Sequence, residues 1–146
     1  MTPHQIDLVQ SSYEAIASER DTAGRIFYDR LFEVAPGVRA LFSSDIDAQG
    51  KKLIDMLGII VDGLTDLEKL LPAISQMASR HHQYGARPEH YPVVGEVLIW
   101  TFAEVLGDAF TPETETAWTA AYAALSEAMI DATHPDMVVA KLSAAE

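Results

Sequence analysis

Pro72-Ala-Ile-Ser-Gln-Met77-Ala-Ser-Arg-His81-His82-Gln-Tyr-Gly85 is the stretch on which the reading of this chain turns. Counting back from His81 by helical steps gives Ala78, Met77 and Ile74, so the histidine closes an apolar stripe at i, i+3, i+4 and i+7. His82 is turned about 100° away on the same helix. A neutral imidazole presented by an apolar helix face suits an axial metal ligand. It also suits a core histidine whose nitrogens are satisfied internally, and the spacing alone leaves both readings open.

Composition narrows the classes. The 146 residues fit one domain, 1–146, large enough to bury about 70% of the surface of the unfolded chain. A formal net charge of −12 argues against nucleic acid and anionic lipid as partners, because both require basic patches. There is no cysteine, which excludes disulfides, thiolate metal sites and thiol nucleophiles. Neither a leader pattern in Met1-Thr-Pro-His-Gln-Ile-Asp nor a run of about 18 apolar residues is found, so a soluble, cytoplasmic protein without a membrane segment is expected.

Helix signals recur along the chain and strand alternation does not. Thr2, Pro3 and Gln5 form a capping box with proline at the first helical position, opening a segment with Ile6, Val9, Tyr13 and Ile16 on one face. A second helix is expected from about Asp21 to Val34, stopped by Ala35-Pro36-Gly37, followed by a short turn from Val38 to Phe42. A long helix from about Asp47 to Asp62 should bury Leu53, Leu57, Ile60, Val61 and Leu64. Thr65 and Glu68 read as another capping box, and Pro72 as the restart of the helix carrying His81, which Gly85 ends. Val94, Val97, Leu98, Thr101 and Val105 define the next helix, up to Gly107-Asp108. Thr111-Pro112 opens the last, with Trp118, Ala121, Tyr122, Leu125 and Met129 inward, and His134-Pro135 breaks it before a short extension, 134–146. The class is all-α, with seven to eight helices of unequal length.

Gly24 and Gly50 sit inside helices, where glycine costs about 1 kcal/mol relative to alanine. Gly24 shares a stripe with Phe27, Tyr28 and Leu31, while Gly50 adjoins Gln49. Two helices crossing glycine to glycine would bring Tyr28 and Gln49 together. Two unrelated, tolerated glycines are the alternative.

With these pieces in place, the sequence resembles a bacterial single-domain globin, similar to the globin domain of flavohaemoglobins. The resemblance rests on Gln5-Ile-Asp-Leu-Val9, Phe27-Tyr28-Asp-Arg-Leu31-Phe32, Arg39-Ala-Leu-Phe42, Arg80-His81-His-Gln-Tyr-Gly85, His90-Tyr91-Pro92-Val-Val94-Gly95, and Ala117-Trp118 with Tyr122. It covers the chain to about residue 132. It implies a globin fold enclosing a haem pocket, with haem b (iron protoporphyrin IX) as cofactor and His81 as the proximal ligand of the iron. It further implies that Tyr91 touches His81 and fixes its ring, that Phe42 wedges against the haem plane, and that Val94 lines the pocket. Lys52 would reach a propionate from the rim, although a solvated lysine is the simpler reading.

On the other side of the iron, the resemblance assigns Tyr28, Gln49 and Leu53 to the distal pocket. Gln49 and Leu53, at i and i+4, share a helix face, and the Tyr28 hydroxyl and Gln49 amide are donors suited to the partial negative charge of bound dioxygen. The expected function is reversible binding of dioxygen and other diatomic ligands. The alternative is nitric oxide dioxygenase activity, with electrons from a separate reductase, since no flavoprotein reductase sequence accompanies the globin segment here. Thr133 stands where these relatives place a glutamate late in the last helix, and Asp131 lies on a different face, which weakens the enzymatic reading. Tyr13 replaces a usual tryptophan. A haem-based sensor and a haem-free interaction domain are the remaining, less favoured readings.

Overall fold

The computed structural model describes residues 1–42 and 45–133. Six α-helices follow one another: α1 (Pro3–Ser18), α2 (Arg20–Val34), α3 (Ile46–Asp62), α4 (Leu67–Gln83), α5 (His90–Leu106) and α6 (Pro112–Thr133). Two 3-10 segments, Pro36–Leu41 and Gly107–Ala109, bring the helical elements to eight, and the described residues include no strand. The expected extension 134–146 and the break at His134-Pro135 lie outside the described residues.

Local chemistry accounts for most boundaries. The Gln5 amide donates to Thr2 Oγ1 at 3.1 Å and the Thr2 amide to Gln5 Oε1 at 3.0 Å, satisfying two N-terminal donors of α1 reciprocally. Helix α4 ends where Gly85 takes φ +103, a left-handed conformation that side chains disfavour. The other end of α4 corrects the sequence reading. The helix starts at Leu67 with Asp66 at its N-cap and no side-chain cap bond, so Thr65 and Glu68 form no capping box. Pro72 lies inside α4 and does not restart it. It lies in the second turn of the helix, so it removes a single early hydrogen bond, and the packing of Leu70, Ile74 and Met77 carries the helix through it.

Helix α3 packs on α2 and α1, and α4 packs on α6. Among the described residues, α3 and α4 make almost no backbone-level contact although they are consecutive. The buried side chains divide accordingly into two clusters. The larger joins α1, α2, α3, α5 and α6 around Phe27, Leu31, Ile54, Phe102 and Trp118. The smaller contains Ile60, Ile74, Met77, Ala78 and Met129. On α3 the fully packed stripe is Gly50, Ile54, Leu57 and Val61, while Leu53 is only partly buried, on the flank it shares with Gln49. The expectation that Leu53 belongs to the packed stripe is thus corrected by one residue: Ile54 faces the core, 1% exposed.

Candidate functional site

The α2–α3 crossing comes first, because it sets the distance between two polar side chains. A Cβ built on Gly24 would lie 2.8 Å from Gly50 Cα and 2.9 Å from Gly50 C, so backbone meets backbone there. One turn beyond Gly24, Tyr28 is 3% exposed, with the Gln49 side chain close enough to its hydroxyl to act on its titration. Three rings box the phenol: Phe27 edge-on at 4.9 Å, Phe42 edge-on at 5.2 Å and Phe32 tilted at 5.7 Å. Burial in this apolar box pushes the Tyr28 phenol up to about 12, and the Gln49 side chain opposes that rise in part. Tyr28 is therefore a protonated donor at neutral pH. Leu53 and Val94 are partly buried and pack on the same cluster, as does Phe42.

His81 belongs to α4, which makes almost no backbone-level contact with α3. Its stripe partners Ile74, Met77 and Ala78 are buried while His81 itself is exposed. Its Nδ1 is 2.7 Å from the Met77 carbonyl oxygen, one helical turn back. A carbonyl can only accept, so Nδ1 carries the proton and the neutral ring keeps its lone pair on Nε2. That arrangement fixes both tautomer and ring orientation, as a metal-ligating imidazole requires. Such a ring, exposed at the end of an apolar helix stripe with its Nε2 lone pair outward, fits a metal-ligating imidazole.

The remaining sequence-based candidates differ in burial and in the groups they meet. Tyr91, at the start of α5, packs on the cluster containing Met77 and Ala78, and burial raises its phenol. Lys52 is exposed on α3. Thr133 donates its hydroxyl to the Met129 carbonyl of its own helix at 3.0 Å, and Asp131 is partly buried.

Two groups were not legible from spacing. Tyr122 on α6 donates its hydroxyl to the Tyr91 carbonyl at 2.7 Å, anchoring the start of α5 to α6. Burial, and then the proximity of Tyr91, raise the Tyr122 phenol. The pairing needs Gly95, where a Cβ would meet the Tyr122 ring at 2.6 Å, and a glycine amid an apolar helix was the available signal. The second group is the aromatic box around Tyr28, for which Phe32, four residues on, was the hint.

Comparison with known proteins places this geometry. The family profile described as Globin matches residues 25–129. The chain is 34% identical over 128 residues to a flavohemoprotein of Rhodopirellula baltica, covering 86% of this chain and 31% of that protein. It is 30% identical over 134 residues to a flavohemoprotein of Vibrio cholerae, covering 90% and 34% respectively. The chain thus spans about a third of the length of these relatives. Among solved structures, an engineered carbene transferase of Rhodothermus marinus, described as a candidate nitric oxide dioxygenase, is 29% identical with a TM-score of 0.81, covering 98% of this chain and 99% of that one. A bacterial globin of Campylobacter jejuni, 23% identical with a TM-score of 0.80 over 90% of this chain and 95% of that one, shares the fold. The Globin match over residues 25–129, which spans the helices carrying both Tyr28 and His81, makes this chain a member of the globin family, haem proteins that bind diatomic gases.

Proposed function

We propose that this chain holds haem b between α3 and α4 with His81 Nε2 as the axial ligand, and binds dioxygen reversibly on the Tyr28 side. The observation that carries the reading is the His81 Nδ1 to Met77 bond, which commits Nε2 to an external partner. When bound, haem supplies the iron centre at which a diatomic gas is held.

The chain's own groups do the rest. Phe42, Leu53 and Val94 offer apolar walls that exclude water, and Lys52 sits at the surface where an acidic cofactor edge would emerge. Tyr28 donates from a site whose desolvation is already complete, so little reorganisation accompanies ligand binding. Tyr91, anchored through its carbonyl, limits the movement of α5 beside the His81 helix. No helix of the described residues is long and apolar enough to cross a membrane, and the acidic composition argues against nucleic acid and anionic lipid as partners.

Nitric oxide dioxygenase activity is the second reading, supported by the flavohemoprotein relatives and by the paired donors, and it needs electrons from a reductase. Thr133, bonded back to its own helix, supplies no carboxylate beside Tyr91 and favours the binding role. Absorption spectra of the purified ferrous protein with and without oxygen test the first reading. A spectrum unchanged by oxygen overturns it. Nitric oxide consumption with a general flavin reductase tests the second.

A further inference from the structure

We propose that Tyr13 and Gln10, on the outer helix α1, are positioning residues that set the rotation of α3 and through it the reach of Gln49 into the ligand pocket; this rests on the reading of that pocket given above. Two donors one turn apart on α1 grip carbonyls two turns apart on α3. The Tyr13 hydroxyl donates to the Ile54 carbonyl at 2.7 Å, and Gln10 Nε2 donates to the Val61 carbonyl at 3.2 Å. Val61 lies in the last turn of α3, where its carbonyl accepts from the Leu64 amide at 3.3 Å, and Gln10 adds a side-chain donor from α1 to the same oxygen.

The grip is built into the backbone. A Cβ at Gly58 would stand 2.5 Å from the Tyr13 hydroxyl and 3.0 Å from Cζ, so only glycine lets the phenol reach α3. Burial, then Asp55 and Asp62, raise the Tyr13 phenol against a smaller lowering by Arg20, which keeps it a donor.

On its other side, α3 touches α2 through Gly24 and Gly50. Two glycines have no side chains to interdigitate, so the rotation of α3 is keyed by its buried stripe of Ile54, Leu57 and Val61 and by the α1 donors, which fix the small angle that apolar packing leaves open. Side-chain tips ride about 5 to 6 Å from a helix axis, so a 10° rotation moves Gln49 by about 1 Å. That is enough to take its amide out of the 2.7 to 3.2 Å range of an N–H···O bond. Tyr28 belongs to α2 and stays in place.

The test compares Tyr13→Phe, Gln49→Leu and the double variant in the full chain. Tyr13→Phe should speed amide hydrogen exchange along α3, shift or split the carbon monoxide stretching band of the ferrous protein, and raise the dioxygen dissociation rate about two- to tenfold. In the Gln49→Leu background it should add nothing to that rate. An equal effect with and without Gln49 would reduce Tyr13 to a stability role and overturn the proposal, as would unchanged exchange in α3. If Tyr13→Phe fails to fold, Gln10→Leu should give the same pattern, and its absence there counts equally against the idea. A wild-type chain that takes up no haem defeats the pocket reading instead, while hydrogen exchange in that haem-free chain still decides whether α1 holds α3.

Discussion

The surroundings of Tyr28 and of His81 are built by opposite means. On the Tyr28 side, a buried phenol is boxed by Phe27, Phe32 and Phe42, and its helix meets α3 backbone to backbone at Gly24 and Gly50. On the His81 side, an exposed imidazole is held by one hydrogen bond to its own helix, and α4 also exposes Leu67 and Leu71 at 40% and 50%. The gas-side donors are therefore positioned by long-range packing. The iron-side ligand is positioned by local helix geometry, which needs no packing to define Nε2.

The largest expected effect tests that local side. His81→Ala should weaken haem uptake by more than roughly 100-fold, beyond the range seen when only an outer partner of a metal ligand is lost. His82→Ala should leave uptake within about twofold of wild type, because His82 does not continue the apolar stripe. Titration of the chain with haem, followed by the Soret band, distinguishes them, and the reverse pattern would transfer the ligand role to His82.

Alkaline pH tests the packed side. The folded-state pKa of Tyr28 is raised from 10.0 to about 12, so the stability that follows is fully present below pH 10 and is lost as pH rises through about 12. Two pKa units correspond to on the order of 2 to 3 kcal/mol. Urea midpoints should fall over that window, and Tyr28→Phe should flatten the fall relative to wild type. A decline that is equally steep in the variant would assign it to Tyr13, Tyr91 or Tyr122, whose phenols are also raised.

The crossing itself comes next. Gly24→Ala places a methyl 2.8 Å from Gly50 Cα, against backbone that cannot swing aside, and should cost about 1 to 3 kcal/mol in urea unfolding. Gly37→Ala meets nothing within 4 Å and should be neutral or stabilising by about 0.4 to 1 kcal/mol, through the unfolded chain. Equal effects at the two positions would deny the crossing its role.

These contrasts mark what the sequence could reveal. The His81 stripe, the Thr2 cap and the paired interior glycines were legible, because each is a short-range pattern or a residue type whose cost demands a reason. Thr65 and Pro72 misled for the complementary reason. Their local signals were genuine, but burial of Ile74 and Met77 decided where α4 runs. Leu53 and Ile54 are adjacent apolar residues, and only the position of α2 says which of them faces the core. Tyr122 to the Tyr91 carbonyl and Tyr13 to the Ile54 carbonyl join side chains to backbone across 31 and 41 residues, and no spacing rule reaches that far.

The smallest expected effect separates the two donors of the packed side. Tyr28 is held by three rings and has lost its rotational freedom before any ligand arrives, whereas Gln49 must order three torsions to donate. Loss of one neutral hydrogen bond, about 0.5 to 1.5 kcal/mol, corresponds to a two- to twelvefold change in rate. Tyr28→Phe should therefore raise the dioxygen dissociation rate toward the upper end of that range and Gln49→Leu toward the lower end, as measured by stopped flow. A Tyr28→Phe rate equal to wild type would remove the phenol from ligand binding and leave the aromatic box a purely structural feature, erasing the functional half of the contrast between the two sides.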